Sequence, residues 1–281
     1  MARTGPGLRP VIGRPDSLGA DMPEFLELDG SAPVGRLTLS RPEKLNALSR
    51  ATLDELIEAA AWFDRRSEVK VVRVGGAGRA FCSGFDLAEF TAPTEPSRVR
   101  ETADRGRVMA DAIAGMRALT VVAIQGRCVG GGLVLAASCD LRLAASDAVF
   151  SIPEVDLGIP LAWGGIPRLV REIGPALTKE LVLTCRPFGA DEARASGLLN
   201  RVTAPDRLDR EADELAQTLA SKPQFALSAT KRQVNAVTDA IASPQSAMAD
   251  ADILLSATRD PESVEAGQRY LKRGFGGSGS D

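Results

Sequence analysis

Thr120-Val-Val-Ala-Ile-Gln-Gly-Arg-Cys-Val-Gly-Gly-Gly-Leu-Val-Leu-Ala-Ala137 decides how the chain is read. Thr120 to Gln125 is an apolar, β-branched run, as expected of a strand buried on both faces. From Leu133 the apolar run reads as a short helix. Between them lie Gly130, Gly131 and Gly132, and glycine is a poor helix former. A helix start leaves N–H groups without internal partners, and its dipole favours negative charge. Two roles fit the glycines: close helix–sheet packing, or backbone donors that a ligand oxygen approaches closely. No acid, base or nucleophile follows them before Ser138.

The same alternation extends outward. Phe25–Leu28 and Val34–Ser40 read as strands. Thr52-Leu-Asp-Glu55 has capping-box spacing and opens a helix running to about Arg66. Val69–Val74 is a strand, Arg98–Met116 a helix, and Asp140–Ala144 and Ala148–Ser151 two further strands. Beyond Gly165 the pattern is mostly helical: Gly165–Ile173, Pro175–Thr184, Ala190–Ser196, Leu208–Ser221, Pro223–Asn235 and Ser246–Leu255. Strands alternating with helices give an α/β class. Residues 1–22, rich in Gly, Pro and Arg, are expected to be a disordered extension, and 274–281 a flexible tail. No repeat of fixed period is visible.

The chain has 281 residues and a net charge of -3, which points away from nucleic acid and anionic membranes. Its apolar runs are too short to span a bilayer, and no secretory signal is read. A cytoplasmic protein with reduced thiols is expected, with Cys82, Cys128, Cys139 and Cys185 as small core residues. There is no histidine at all. That excludes Ser-His-Asp and Cys-His catalysis and nearly all ordinary zinc sites. Proton transfer near neutral pH then falls to an Asp or Glu, ahead of a tuned Lys, a Cys or the single Tyr270.

Two more segments bear on chemistry. Gly75-Gly-Ala-Gly-Arg-Ala-Phe-Cys-Ser-Gly-Phe-Asp-Leu87 follows a strand but is neither a dinucleotide fingerprint nor a P-loop. By itself it reads as a tight loop. Pro153-Glu154 ends a strand among apolar residues, where a carboxylate has a raised pKa; a solvated loop acid is the alternative. Taken together, two loops with exposed N–H groups and one half-buried carboxylate suit chemistry beside a thioester carbonyl. A proton leaves carbon, and the enolate oxygen is held by two donors.

Arg41-Pro-Glu-Lys-Leu-Asn-Ala-Leu48, Gly78-Arg-Ala-Phe-Cys-Ser-Gly-Phe-Asp-Leu87, Gly130-Gly-Gly, Cys139-Asp140 and Pro153-Glu154 resemble, in order and spacing, the crotonase family of enoyl-CoA hydratases and isomerases. Phe225-Ala-Leu-Ser-Ala-Thr-Lys231 is similar as well, and the likeness runs from about Phe25 to Gly274. The resemblance implies a crotonase-like spiral of ββα units over 23–205 and a C-terminal helical trimerisation segment over 206–273. It implies a homotrimer, or a hexamer built as a dimer of trimers. It places the oxyanion hole at the N–H groups of Phe85 and Gly131. It places CoA contacts around Ala47, along Ser83, Gly84, Asp86 and Leu87, and at Gly130. The coenzyme A thioester is then the substrate, with no further cofactor and no metal.

The chain departs from the family at one point. Hydratases of the family carry two glutamates. One matches Glu154; at the position of the other stands Val134. Single-glutamate members are 3,2-enoyl-CoA isomerases, so the resemblance points first to that reaction with Glu154 as sole acid and base. The alternatives are a 2-enoyl-CoA hydratase in which another group, such as Asp156, holds the water, and a non-catalytic acyl-CoA binder. A dienoyl-CoA isomerase uses a further acid where Ala162 stands, and the family's dehalogenases use a histidine. Trp163 lines the acyl pocket or simply packs. Lys272 and Arg273 contact CoA phosphates or cap a helix end. The segment Ala88–Arg105 is expected to shape the acyl pocket.

Overall fold

The computed structural model describes residues 23–91 and 95–273. The N-terminal extension and the tail from Gly274 lie outside the described residues.

In chain order the strands are β1 (Leu26–Asp29), β2 (Val34–Leu39), β3 (Val71–Gly76), β4 (Leu119–Ile124), β5 (Arg127–Val129), β6 (Leu141–Ala145), β7 (Val149–Ser151), β8 (Phe188–Gly189) and β9 (Arg201–Thr203). The helices are α1 (Arg50–Asp64), α2 (Leu87–Thr91), α3 (Pro96–Gly115), α4 (Gly131–Ala137), α5 (Gly165–Thr184), α6 (Ala190–Ala195), α7 (Leu208–Ala220), α8 (Gln224–Ile241), α9 (Asp250–Ala257) and α10 (Pro261–Arg273). A six-stranded sheet has the order β1-β2-β3-β4-β6-β9, antiparallel only in the β1–β2 hairpin. A small sheet has the order β5-β7-β8. Units β4-β5-α4 and β6-β7-α5 each give one strand to each sheet and then a helix. A bridge between Cys82 and Cys128 brings the segment after β3 to the same small sheet. These turns form the ββα spiral.

The central strands are mostly apolar because both faces of the large sheet are covered. Val72, Val74, Val122 and Ile124 face the main core with Trp62, Phe63 and Met109. Val71, Val121, Ala123, Leu143 and Ala145 face α7, whose Ala212, Ala216 and Ala220 present small side chains at helical spacing. The loop after β3, the glycine run after β5 and the turn after β7 carry the three segments singled out in the sequence.

Several expectations are corrected. Helix α1 starts one turn before the capping box: Ser49 is the N-cap, and its Oγ accepts from the Thr52 N–H at 3.1 Å. Glu55 instead accepts from the N–H groups of Glu24 and Phe25, at 2.8 and 2.9 Å, and fastens the entry to β1. The strand expected at Val69–Val74 begins at Val71, and the helix expected at Ser246–Leu255 runs from Asp250 to Ala257. The two helices expected on either side of Gly174 meet in α5, broken where Gly174 takes φ 75° ahead of Pro175. Strands β5, β8 and β9 and helices α2 and α10 were not expected. All four cysteines are free and buried. Among the described residues no helix is long and apolar enough to cross a membrane.

Candidate active site

Asn46 joins the first two motifs. Leu45 and Asn46 both have left-handed backbone, with φ of 51° and 56°. The turn buries the Asn46 amide, which accepts from the Arg41 N–H at 2.9 Å and donates to Ala77 and Ala80 carbonyls at 2.8 Å each. Leu48 then runs parallel to Phe85: its N–H bonds Gly84 O at 2.8 Å, and its carbonyl accepts from Asp86 N–H at 2.9 Å. This pairing spends the backbone groups on either side of Phe85. The Phe85 N–H itself has no acceptor among the described residues.

Asp86 is fully engaged by the protein. Its Oδ2 pairs with Arg41 Nη2 at 3.1 Å and its Oδ1 accepts from the Ala88 N–H at 3.1 Å, starting α2. Arg41 also donates to the Ala47 carbonyl at 2.8 Å. Asp86 and Ala47 therefore hold the loop and line neither cavity described below.

The glycine run supplies the second donor. Gly130 has φ 49°, a conformation that glycine alone adopts without strain. Its carbonyl caps α4 by accepting from Leu133 and Val134 N–H groups at 2.8 and 3.1 Å, while its own N–H bonds Ser151 O at 3.0 Å. That leaves the Gly131 N–H, first in the helix, without an acceptor among the described residues. A Cβ on Gly84 would stand 3.8 Å from the Gly131 nitrogen, so the two donor loops are in close approach.

Glu154 follows β7. A turn in which Ile159 N–H bonds the Glu154 carbonyl at 2.9 Å folds the chain back beneath it. Its Oε2 is out of solvent and has no hydrogen-bond partner. Burial raises the Glu154 pKa to about 7, against a smaller opposing pull from its own backbone N–H. The carboxyl is thus poised to take up and release a proton near neutrality.

Phe85, Gly131 and Glu154 meet on the wall of a cavity of about 160 Å3. The rest of its lining is mostly apolar: Val99, Ala103, Val134, Leu161, Ala162, Trp163 and Leu254. Val134 is 2% exposed, and among the described residues the other carboxylate on this cavity's lining is Glu89, which is paired with Arg50. Trp163 both packs and lines the cavity. It sits at φ 61°, edge-on to Phe85 at 5.8 Å, with its ring against Gly106 and Gly131. Phe90, Val99, Thr102 and Ala103, from the segment expected to shape the pocket, lie on the wall.

A smaller cavity, about 60 Å3, adjoins Glu154 and Phe85 and is lined by Ser83, Gly84, Leu87, Gly130 and, from α10, Tyr270. Asp156 is exposed and lines neither cavity, whereas Tyr270 shares the smaller cavity with Glu154. Burial, and then the charges of Asp156 and Glu154, raise the Tyr270 pKa. Lys272 is exposed and lines neither cavity. The sequence also gives no sign of Arg50, Leu254 and Thr258 on the larger cavity. No motif marks them; they meet only through folding.

Comparison with known proteins places this geometry. Residues 29–275 match the family model described as enoyl-CoA hydratase/isomerase. The chain is 35% identical over 213 residues to a crotonyl-CoA hydratase of Syntrophomonas wolfei, covering 75% of this chain and 82% of the relative. It is 34% identical over 222 residues to a peroxisomal Delta(3,5)-Delta(2,4)-dienoyl-CoA isomerase of Arabidopsis thaliana, covering 74% of this chain and 79% of that one. A crystal structure of an enoyl-CoA hydratase/isomerase from Xanthobacter autotrophicus Py2 superposes with a TM-score of 0.82 at 28% identity, over 90% of this chain and 95% of the other. The chain belongs to the enoyl-CoA hydratase/isomerase family of enzymes, the crotonases.

Proposed function

We propose that this enzyme moves the double bond of a 3-enoyl-CoA to the 2-position, with Glu154 as its only acid and base. The observation that carries the reading is Val134: a buried valine where the family's hydratases carry their second glutamate. In this reading the thioester oxygen sits between the N–H groups of Phe85 and Gly131, and the acyl chain enters the larger cavity. The Glu154 carboxylate takes a proton from C2. The electron pair delocalises onto the thioester oxygen, which the two N–H groups stabilise; one such donor is worth roughly 3–4 kcal/mol of barrier. Glu154, now protonated, returns the proton to C4, and the double bond ends between C2 and C3. No water is consumed, so no second carboxylate is needed. Ser83, Gly84, Leu87 and Gly130 flank the approach, and no cofactor beyond the CoA of the substrate enters the scheme.

A second reading is supported by Tyr270. Its place beside Glu154 gives a hydratase a polar group to orient water, and hydratase is the commoner name among the relatives. We further propose a homotrimeric, cytoplasmic enzyme. The exposed apolar side chains of α8, Phe225, Val237 and Ile241, favour contact between subunits.

The test is Glu154→Gln assayed with a 3-enoyl-CoA, with calorimetric titration of acyl-CoA alongside. Loss of isomerisation by a factor of about 10³ or more with binding retained is expected. Retained isomerisation would overturn the assignment.

A further inference from the structure

Charged side chains stand on the lining of the larger cavity in two places. One is Glu154; the other is the pair Arg50 and Glu89. Arg50 is the first residue of α1, and Glu89 lies in α2. Glu89 Oε2 accepts from the Arg50 backbone N–H at 3.1 Å and stands 3.6 Å from Arg50 Nε. Glu89 therefore stands on the Nε side of the guanidinium. The two terminal nitrogens, Nη1 and Nη2, have no acceptor among the described residues. The Arg50 side chain is 30% exposed, so it has given up part of its hydration to stand on this wall.

With Glu89 on its Nε side, the guanidinium keeps the donor capacity of both terminal nitrogens for a further partner. Its planar fork matches a carboxylate bidentately, a geometry no methyl-ended chain can use. Thr102 and Thr258 line the same cavity; each hydroxyl donates to a carbonyl of its own helix at 2.8 Å, leaving only acceptor capacity toward the cavity. Arg50 is thus the only open charged donor on the lining.

We propose that Arg50 recognises a carboxylate at the far end of the acyl chain, so that the substrate is the monothioester of an unsaturated dicarboxylic acid rather than a methyl-ended enoyl-CoA. The inference rests on the acyl-CoA reading of this cavity. The thioester end is held by the backbone donors and worked on by Glu154. The tail carboxylate pairs with Nη1 and Nη2, while Glu89 stays on the Nε side.

The test is calorimetric titration of the full chain with saturated acyl-CoA esters matched in length, ending in a carboxylate or in a methyl group, over a series of lengths. Binding is the readout, so it does not depend on which reaction is catalysed. At its best length the carboxylate-ended ester is expected to bind tighter by about tenfold or more at low salt. In Arg50→Gln that ratio falls toward one, and Arg50→Lys retains part of it. Equal or weaker binding of the carboxylate-ended ester to the unmodified protein overturns the proposal and leaves the acyl-CoA reading intact. So does an Arg50→Gln variant that weakens both esters equally, since Arg50 then serves the CoA portion they share. If neither ester binds, both the proposal and the reading beneath it fail.

Discussion

A Cβ on Gly130 would collide with Oε1 of Glu154. The base and the glycine run are therefore one packed unit: the carboxylate lies directly against the backbone that turns the Gly131 N–H toward the cavity. Gly130→Ala faces both this collision and an unfavourable φ of 49°. We expect kcat/KM to fall by about 10²-fold or more, about 3 kcal/mol of barrier, since both donor and base are displaced. Circular dichroism of the variant checks that the fold persists.

Glu154 gives a pH dependence in two observables. Its pKa of about 7 means that the free enzyme gains its base as pH rises through neutrality. Between pH 6 and pH 8, kcat/KM should rise by about tenfold. The chain has no histidine to mimic this limb.

Stability runs the opposite way. The folded protein holds the Glu154 proton more tightly than the unfolded chain, whose carboxyl titrates near its ordinary value of 4.5. Below that value the group costs nothing. Through the window from about 4.5 to 7 the unfolded state alone ionises, and stability falls with pH. Above it a penalty of up to about 3 kcal/mol remains. Glu154→Gln should therefore raise Tm at pH 8 and much less at pH 5.

The extent of the sequence's information can be judged from particular elements. Strands β3 and β4 are legible because burial on both faces makes them rich in β-branched residues. Neither glycine loop nor Glu154 is decisive alone; taken together, in order and spacing, their motifs point to one site, and Phe85, Gly131 and Glu154 meet on one cavity wall. Strands β5 and β8 have three and two residues, too few to show any period. The start of α1 was misplaced because Thr52 and Glu55 have capping-box spacing, while Glu55 is used for the β1 entry. Arg50, Leu254, Thr258 and Tyr270 join the site from distant elements, and nothing in their neighbours signals it. The family resemblance implies a substrate contact at Asp86; its two oxygens are engaged by Arg41 and by the Ala88 N–H.

Trp163 sets one wall of the larger cavity, wedged between Gly106 of α3 and Gly131. Trp163→Ala should cost at most about 3–5 kcal/mol of stability, because part of the ring faces the cavity. The enlarged cavity should accept longer or branched acyl chains. Thermal unfolding and a chain-length profile of kcat/KM check the two parts separately.

Lys231 anchors the C-terminal helices to the spiral. Its Nζ pairs with Asp140 Oδ2 at 2.8 Å and donates to the Ala118 carbonyl at 3.0 Å. The same Asp140 oxygen accepts from the Thr120 N–H at 2.7 Å. Lys231→Met leaves a carboxylate with reduced compensation and a carbonyl without its donor. We expect a loss of about 3 kcal/mol, read by urea unfolding, with Asp140→Asn partly restoring the variant.

The most direct measurement is the ratio of two rates in the unmodified enzyme: isomerisation of a 3-enoyl-CoA and hydration of the 2-enoyl-CoA of the same chain. With valine at position 134 and one working carboxylate, isomerisation should exceed hydration by about 10²-fold or more. Hydration as fast as isomerisation would contradict the single-acid account and shift the second role to Tyr270.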